Sequence, residues 1–311
     1  MRVGDIDIEI PDGMPWSRGV RDRRLRRVDR YDRRAQLTAY ETLTPTGTVR
    51  LTFRVVDDRR FRFNPGQFVG IQADVPNFGV RKTPYCIISA PGEDRAFQLL
   101  VRLVPEGPLS YYLADLSIGD VIHFRGPNGR SMVPKEDDTE LVLLATGVGV
   151  GPFLSLALHL LGQGFDRRIQ LLWGLRLKED ICLLEELDAI SRSEAFSYRI
   201  SLSRPEGEWA GLRGRLTESV PPLLGSLDNK HFYLVGNGAM IEEMGAALSD
   251  LGVSKNLIYE ERYFNVKYRP DPAVVDEIRR RFVARDLASP LEIREAIERK
   301  QLEWRQARGG G

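Results

Sequence analysis

Between residues 139 and 161 the chain reads TELVLLATGVGVGPFLSLALHLL, and this stretch does most to limit the available folds. An unbroken apolar run leads into a glycine-rich turn and then into an amphipathic helix. A strand that is apolar on both faces belongs in a parallel sheet covered by helices on each side. The chain then keeps alternating: RIQLLWGLR as strand, DICLLEELDAIS as helix, SYRISLSR and KHFYLVGNG as strands, AMIEEMGAALSDLG as helix, NLIYEERYF as strand. This rhythm predicts an α/β unit with a doubly wound parallel sheet over residues 138–264.

A different rhythm precedes it. Over residues 35–137 short alternating segments are punctuated by Gly and Pro: TVRLTFRVV, GQFVGIQADV, PYCIIS, AFQLLVRLV and DVIHFRGP, with one short helix at LSYYLADL. Strands at this spacing predict an antiparallel β-barrel or sandwich. Residues 1–34 form an N-terminal arm; its second half, 15–34, carries nine arginines against three aspartates. That block reads equally as a solvated arm or as a docking patch for an acidic partner. Residues 265–311 form a helical extension. Val274, Val275, Ile278, Phe282 and Val283 recur at helical spacing, and Ser289-Pro290-Leu291-Glu292 opens a second helix with a capping box. A chain of 311 residues has room for two cores.

Composition removes several function classes. A net charge of +1 gives no global field for nucleic acid or membrane. No apolar run approaches the roughly 20 residues that span a bilayer, and the N-terminus lacks the order of a secretory signal, so a cytoplasmic location is expected. Two cysteines, Cys86 and Cys182, are too few for an iron–sulfur cluster held by four thiolates, and the three histidines stand apart, so no metal site is expected. A disulfide between the cysteines suits a cytosolic chain poorly. Any redox chemistry must therefore use an organic cofactor.

Three stretches carry chemistry. In Gly147-Val148-Gly149-Val150-Gly151-Pro152, glycines between strand and helix let the backbone approach a pyrophosphate, with Thr146 ending the strand. Gly107-Pro108-Leu109-Ser110 offers a second such element, or simply a helix capped by Ser110. In RKTPYCIISAP, residues 81–91, Pro84 suits the start of a strand, and Tyr85 offers a flat face with a hydroxyl handle. By itself that segment reads as an ordinary sandwich strand.

Taken in order, PYCIISAP, LVRLVPEGPLSYYLADLSIGD, LLATGVGVGPFLS, SLSR with GLRGRL, YLVGNGAMI and EERYF resemble the ferredoxin–NADP+ reductase superfamily, especially its bacterial ferredoxin/flavodoxin reductases, over roughly residues 40–264. The resemblance implies an FAD-binding barrel followed by an NADPH-binding α/β domain. It implies that Arg81, Thr83, Pro84, Tyr85, Cys86 and Ile87 form the flavin platform, with Tyr85 against the isoalloxazine. Val101 and Leu103 would pass its pyrimidine end, and Gly107, Leu109 and Ser110 would hold its pyrophosphate. Thr146, Gly147, Gly149, Pro152, Gly236 and Asn237 would receive the nicotinamide nucleotide. Ser203, Arg204, Arg213 and Arg215 would receive a 2′-phosphate, which favours NADPH. Cys86, Glu261 and Tyr263 would stand beside the reacting rings.

The sequence departs from the family at three places. Thr83 stands where the pattern has Arg, Cys86 where it has Ser, and Val235 where it has Cys in a Cys-Gly-Asn-Pro-like turn. Hydride transfer needs chiefly two stacked rings, so a slower enzyme rather than an inactive one is expected. The implied role is passage of electrons from NADPH to a separate ferredoxin or flavodoxin. The alternatives are the reductase component of an oxygenase, or an FAD-binding regulatory subunit with little turnover. The extension past Phe264 is expected to cover the flavin or to form a homodimer.

Overall fold

The computed structural model describes residues 31–75, 79–92, 94–103, 107–134 and 139–262, with the backbone of two short N-terminal strands, β1 (Arg2–Val3) and β2 (Ile6–Asp7), paired with each other. Most of the cationic arm, Tyr263, Phe264 and both tail helices lie outside the described residues.

The first sheet holds β3 (Arg33–Thr42), β4 (Thr48–Val55), β5 (Phe68–Val75), β6 (Gly79–Cys86), β7 (Ala96–Arg102) and β8 (Val121–Asn128), with helix α1 (Pro108–Ala114) between β7 and β8. Its order is β6-β5-β8-β3-β4-β7 and every pairing is antiparallel. The sheet curls until its two edges meet just beyond β6, where Ile87 bridges Leu99 and the Ile88 N–H donates to the Gln98 carbonyl at 2.9 Å. Alternate residues of β4 (Val49, Leu51, Phe53, Val55) point inward and are buried. Phe97 lies 5.5 Å from Phe53 and 5.1 Å from Phe61, and Phe124 lies 5.5 Å from Phe61. Each such ring, fully buried, contributes about 1.5–3 kcal/mol.

Two expectations shift here. Arg33 and Arg34, assigned to the arm by the sequence, open β3, and Arg33 is 7% exposed. Pro84 does not start its strand: β6 begins at Gly79, and Pro84 sits inside it opposite Gly70. An edge strand tolerates a missing N–H because it has a strand neighbour on one side only.

The second sheet holds β9 (Glu140–Thr146), β10 (Ile169–Leu175), β11 (Phe196–Leu202), β12 (Leu212–Arg213), β13 (Lys230–Gly236) and β14 (Ile258–Arg262). It is wholly parallel in the order β12-β11-β10-β9-β13-β14. Helices α2 (Val150–Gly162) and α3 (Leu184–Ile190) cover one face, while α4 (Leu216–Ser219) and α5 (Gly238–Asp250) cover the other. The central β9 divides its residues accordingly. Leu141, Leu143 and Ala145 join the α2 side, and Val142 and Leu144 join the α5 side.

The two sheets share an apolar seam. Ile88, Leu100 and Met132 from the barrel side pack into the core under α2, and the Ser155 hydroxyl donates to the Ser89 carbonyl at 2.6 Å. A polar clasp lies beside it. Asp180 pairs with Arg102 at 3.1 Å and accepts from the Thr46 hydroxyl at 2.8 Å, while Arg50 bridges Glu41 and Glu186.

Candidate active site

In the parallel sheet the chain runs outward from β9 through β10, β11 and β12, then returns to the other flank of β9 as β13 and β14. The reversal leaves a crevice at the carboxyl ends of β9 and β13, where ligands of doubly wound sheets bind. Thr146 ends β9, and its hydroxyl accepts the Asn237 N–H at 2.9 Å. Asn237 caps α5 through its own side chain, which accepts from the Ala239 N–H at 2.9 Å. Gly236 ends β13 against Thr146, close enough that any Cβ would meet the Thr146 carbonyl at 2.8 Å. Gly149 is equally confined, since its Cβ would stand 2.5 Å from the Val235 carbonyl oxygen. Gly147 differs: its φ is +55° and nothing lies within 4 Å of where its Cβ would be. Pro152 occupies the first turn of α2, where a missing N–H costs nothing. No side chain caps the start of that helix.

On the barrel side, β6 carries Arg81, Thr83 and Tyr85 on one face and Pro84 and Cys86 on the other. Arg81 is exposed, and its guanidinium donates to the Val80 carbonyl at 3.1 Å. The Tyr85 ring packs on the barrel core yet stays partly exposed, and burial pushes its phenol pKa up. Ile87, Val101, Leu103 and Leu109 are core side chains, so any ligand facing them would meet main chain. Gly107 accepts the Ser110 hydroxyl at 2.6 Å. Ser110 is thus the third residue of α1 rather than its cap, a correction to the capping alternative.

Cys86 and Glu261, far apart in sequence, meet at the junction. The Cys86 thiol donates to Glu261 Oε1 at 3.4 Å, and the Tyr259 hydroxyl donates to Oε2 at 3.2 Å. Burial raises the Glu261 pKa against the pull of both donors. Tyr263 lies outside the described residues. At the far edge of the sheet, Ser203 and Arg204 follow β11, and Arg213 stands opposite Leu202 in β12; all three are exposed, as is Arg215.

Sequence reasoning missed Tyr259. Its signal was the period of two, which puts it on Glu261's face of β14. The clasp residues Asp180, Arg102 and Thr46 carried no local signal. Cys182 is a buried free thiol with its pKa pushed up to about 12, chiefly by burial.

A closed antiparallel barrel seamed to a doubly wound sheet, with a carboxylate and a thiol meeting where the two join, defines a class of two-domain oxidoreductases. Family comparison agrees, matching residues 34–132 to an oxidoreductase FAD-binding domain and residues 143–245 to an oxidoreductase NAD-binding domain. The chain belongs to the ferredoxin–NADP reductase-like superfamily and is a flavoprotein oxidoreductase of that type. It is 32% identical over 237 residues to ferredoxin–NADP reductase B of Sorangium cellulosum, covering 74% of this chain and 96% of that protein. It is 27% identical over 218 residues to the toluate 1,2-dioxygenase electron transfer component of Pseudomonas putida, covering 70% of this chain and 63% of that protein, less than two thirds of its length. Among solved structures, the Amycolatopsis cytochrome P450 reductase superposes with a TM-score of 0.67 at 25% identity, over 74% of this chain and 69% of that one. The Neisseria gonorrhoeae ferredoxin NADP+ reductase with bound FAD and NADP superposes with a TM-score of 0.64 at 24% identity, over 74% of this chain and 98% of that one. No described helix is long and apolar enough to cross a membrane.

Proposed function

We propose that this chain is an FAD-dependent NADPH oxidoreductase that serves a separate one-electron carrier such as ferredoxin or flavodoxin. Residues 35–137 would bind FAD and residues 138–264 the nucleotide. The observation that carries this reading is the meeting of Cys86 and Glu261 at the domain junction, beside the end of β6 and the α2 docking seam. The residues present fit both groups. Tyr85 offers a partly exposed ring, the start of α2 carries no side-chain cap, and Gly147 just before it is exposed with open space beside its Cα. A bound flavin supplies the step from hydride to single electrons that nicotinamide lacks. Around it, the chain's own task is to hold two rings in register and to keep a thiol and a carboxylate at their edge. The exposed Ser203, Arg204 and Arg213 offer a hydroxyl and two planar cations suited to a 2′-phosphate.

The protein should bind one FAD and be reduced by NADPH under anaerobic conditions, then reduce ferredoxin. Arg204→Ala should weaken NADPH roughly ten- to a hundredfold and leave NADH unchanged; equal losses for both nucleotides would remove the 2′-phosphate assignment. A second reading, the reductase of an oxygenase, is favoured by the similarity to the toluate 1,2-dioxygenase electron transfer component. Rapid turnover with an oxygenase component but not with ferredoxin or flavodoxin would select it.

A further inference from the structure

Glu261 lies on β14, an edge strand, with Glu260 and Arg262 exposed on the opposite face over α5, where Arg262 pairs with Glu242 at 2.6 Å. A glutamate there has three free torsions, and nothing in its own backbone holds the carboxylate toward the barrel. Two side chains do so. Tyr259, two residues earlier on the same face, donates to Oε2 at 3.2 Å, and Cys86, across the domain junction, donates to Oε1 at 3.4 Å. The phenol is the stronger donor of the two, a thiol being a weak one. Tyr259 is itself held: it pairs in register with Tyr233 of β13, and the two rings lie 5.5 Å apart at 31°.

We propose that Tyr259 is a positioning residue, whose hydroxyl fixes the Glu261 carboxylate so that its second oxygen takes the Cys86 proton contact. The proposal rests on the functional reading above, which puts Cys86 and Glu261 at the reacting rings. Tyr259 itself acts through Glu261.

The energetics follow from the burial of the carboxylate. Burial drives Glu261 toward its protonated form, and both donors oppose this. Removing the stronger donor should therefore raise the carboxyl pKa and leave the Cys86 thiol as the main partner of whatever charge remains. The charge on Glu261 in turn disfavours a thiolate at Cys86. Among the described residues, the titratable groups around this carboxylate are Cys86 of β6, Tyr259 of its own strand and Tyr233 of β13 behind Tyr259, with Arg130, after β8, acting on Tyr259 by its charge.

Thiol chemistry reads this coupling without enzyme turnover. The chain has two cysteines, and the buried Cys182, with its pKa pushed up to about 12, should stay silent. Iodoacetamide alkylation of Cys86, followed by peptide mass spectrometry from pH 5 to 10, then carries a step where Glu261 ionises. Tyr259→Phe keeps the ring on Tyr233, so the strand should persist. It should move that step upward by about one pH unit and slow alkylation above the step. Glu261→Gln should abolish the step and speed alkylation in the alkaline range. In the Glu261→Gln background, adding Tyr259→Phe should change nothing further, as required when two residues act through one another.

A Tyr259→Phe profile that superimposes on the unaltered protein overturns the proposal. So does an equal Tyr259→Phe effect with and without Glu261, which a general loosening of the strand would produce. Anaerobic reduction by NADPH, measured separately on the unaltered protein, reports the functional reading itself. The thiol profile can fail while that reading stands, or stand while it fails.

Discussion

Arg33 is a cation inside an aromatic core. Its guanidinium lies 5.1 Å from the Phe61 ring centre and 5.3 Å from that of Phe124. It donates twice to Asp57, both at 3.1 Å, and to the Arg59 carbonyl at 2.8 Å. Asp57 also accepts the Arg34 and Arg59 N–H groups. Burial pushes the Asp57 pKa up, but the Arg33 and backbone donors outweigh it and hold the carboxyl at about 2. A folded-state pKa below the unfolded one means that the stabilisation is complete above the unfolded value near 4. It is lost as pH falls through about 2. Allowing for solvent screening, the pair should contribute roughly 1–2 kcal/mol at neutral pH. Asp57→Asn should therefore lower stability at pH 7 and flatten the acid limb of the denaturation profile. An acid limb identical in both proteins would show that other carboxylates set it.

At the scale of elements, two glycines of one turn make opposite demands. Gly149→Ala must push β13 away, because its Cβ would stand 2.5 Å from one backbone atom and 2.9 Å from the next; a cost of about 1–3 kcal/mol is expected, read as a lower melting temperature. Gly147→Ala meets no neighbour and carries only its left-handed φ of +55°, worth roughly 1–2 kcal/mol. Its larger effect should fall on nucleotide affinity in a titration. Equal affinity losses for the two would mean that the turn does not face the nucleotide. The order of strands and helices around this turn was legible in the sequence because β9 is apolar on both faces and the helices have a clear period. Two barrel strands were less legible. β6 starts five residues before Pro84 because its first half, Gly-Val-Arg-Lys-Thr, is largely exposed on an edge and has no apolar alternation. β3 went unread because its buried inward residues are Arg33, Ala35 and Leu37, and a bulge then shifts the register before Tyr40; an inward arginine and a register shift both break the pattern that marks a strand. In the site, Cys86 and Glu261 were found through family motifs. Tyr259 was not: the period of two puts it on Glu261's face, but nothing in the motif marks its hydroxyl as the donor that the folded strand brings to Oε2.

Across the whole molecule, the clasp ties barrel residues to residues of the parallel-sheet half. Asp180 is 11% exposed and faces both Arg102 and Thr46, and Arg50 stands between Glu41 and Glu186. Removing one partner of a poorly solvated pair leaves the other charge uncompensated, which is the costly way to break it. Asp180→Asn combined with Glu186→Gln should split a single heat-unfolding transition into two, one for each core. A single transition at an unchanged temperature would show that the apolar seam alone joins them.

The seam itself runs through two consecutive residues. Ile87 belongs to the barrel core and Ile88 to the core beneath α2, so no cut in the chain can give each half a complete surface of its own. Anyone recombining this protein with a relative at the junction near residue 138 inherits that constraint. The incoming half must present hydrogen at position 151, where any Cβ would strike Ile88, and a donor at position 155 for the Ser89 carbonyl. The choice of donor parent is thus settled by two positions on one helix face, both of which meet the barrel at Ile88 and Ser89.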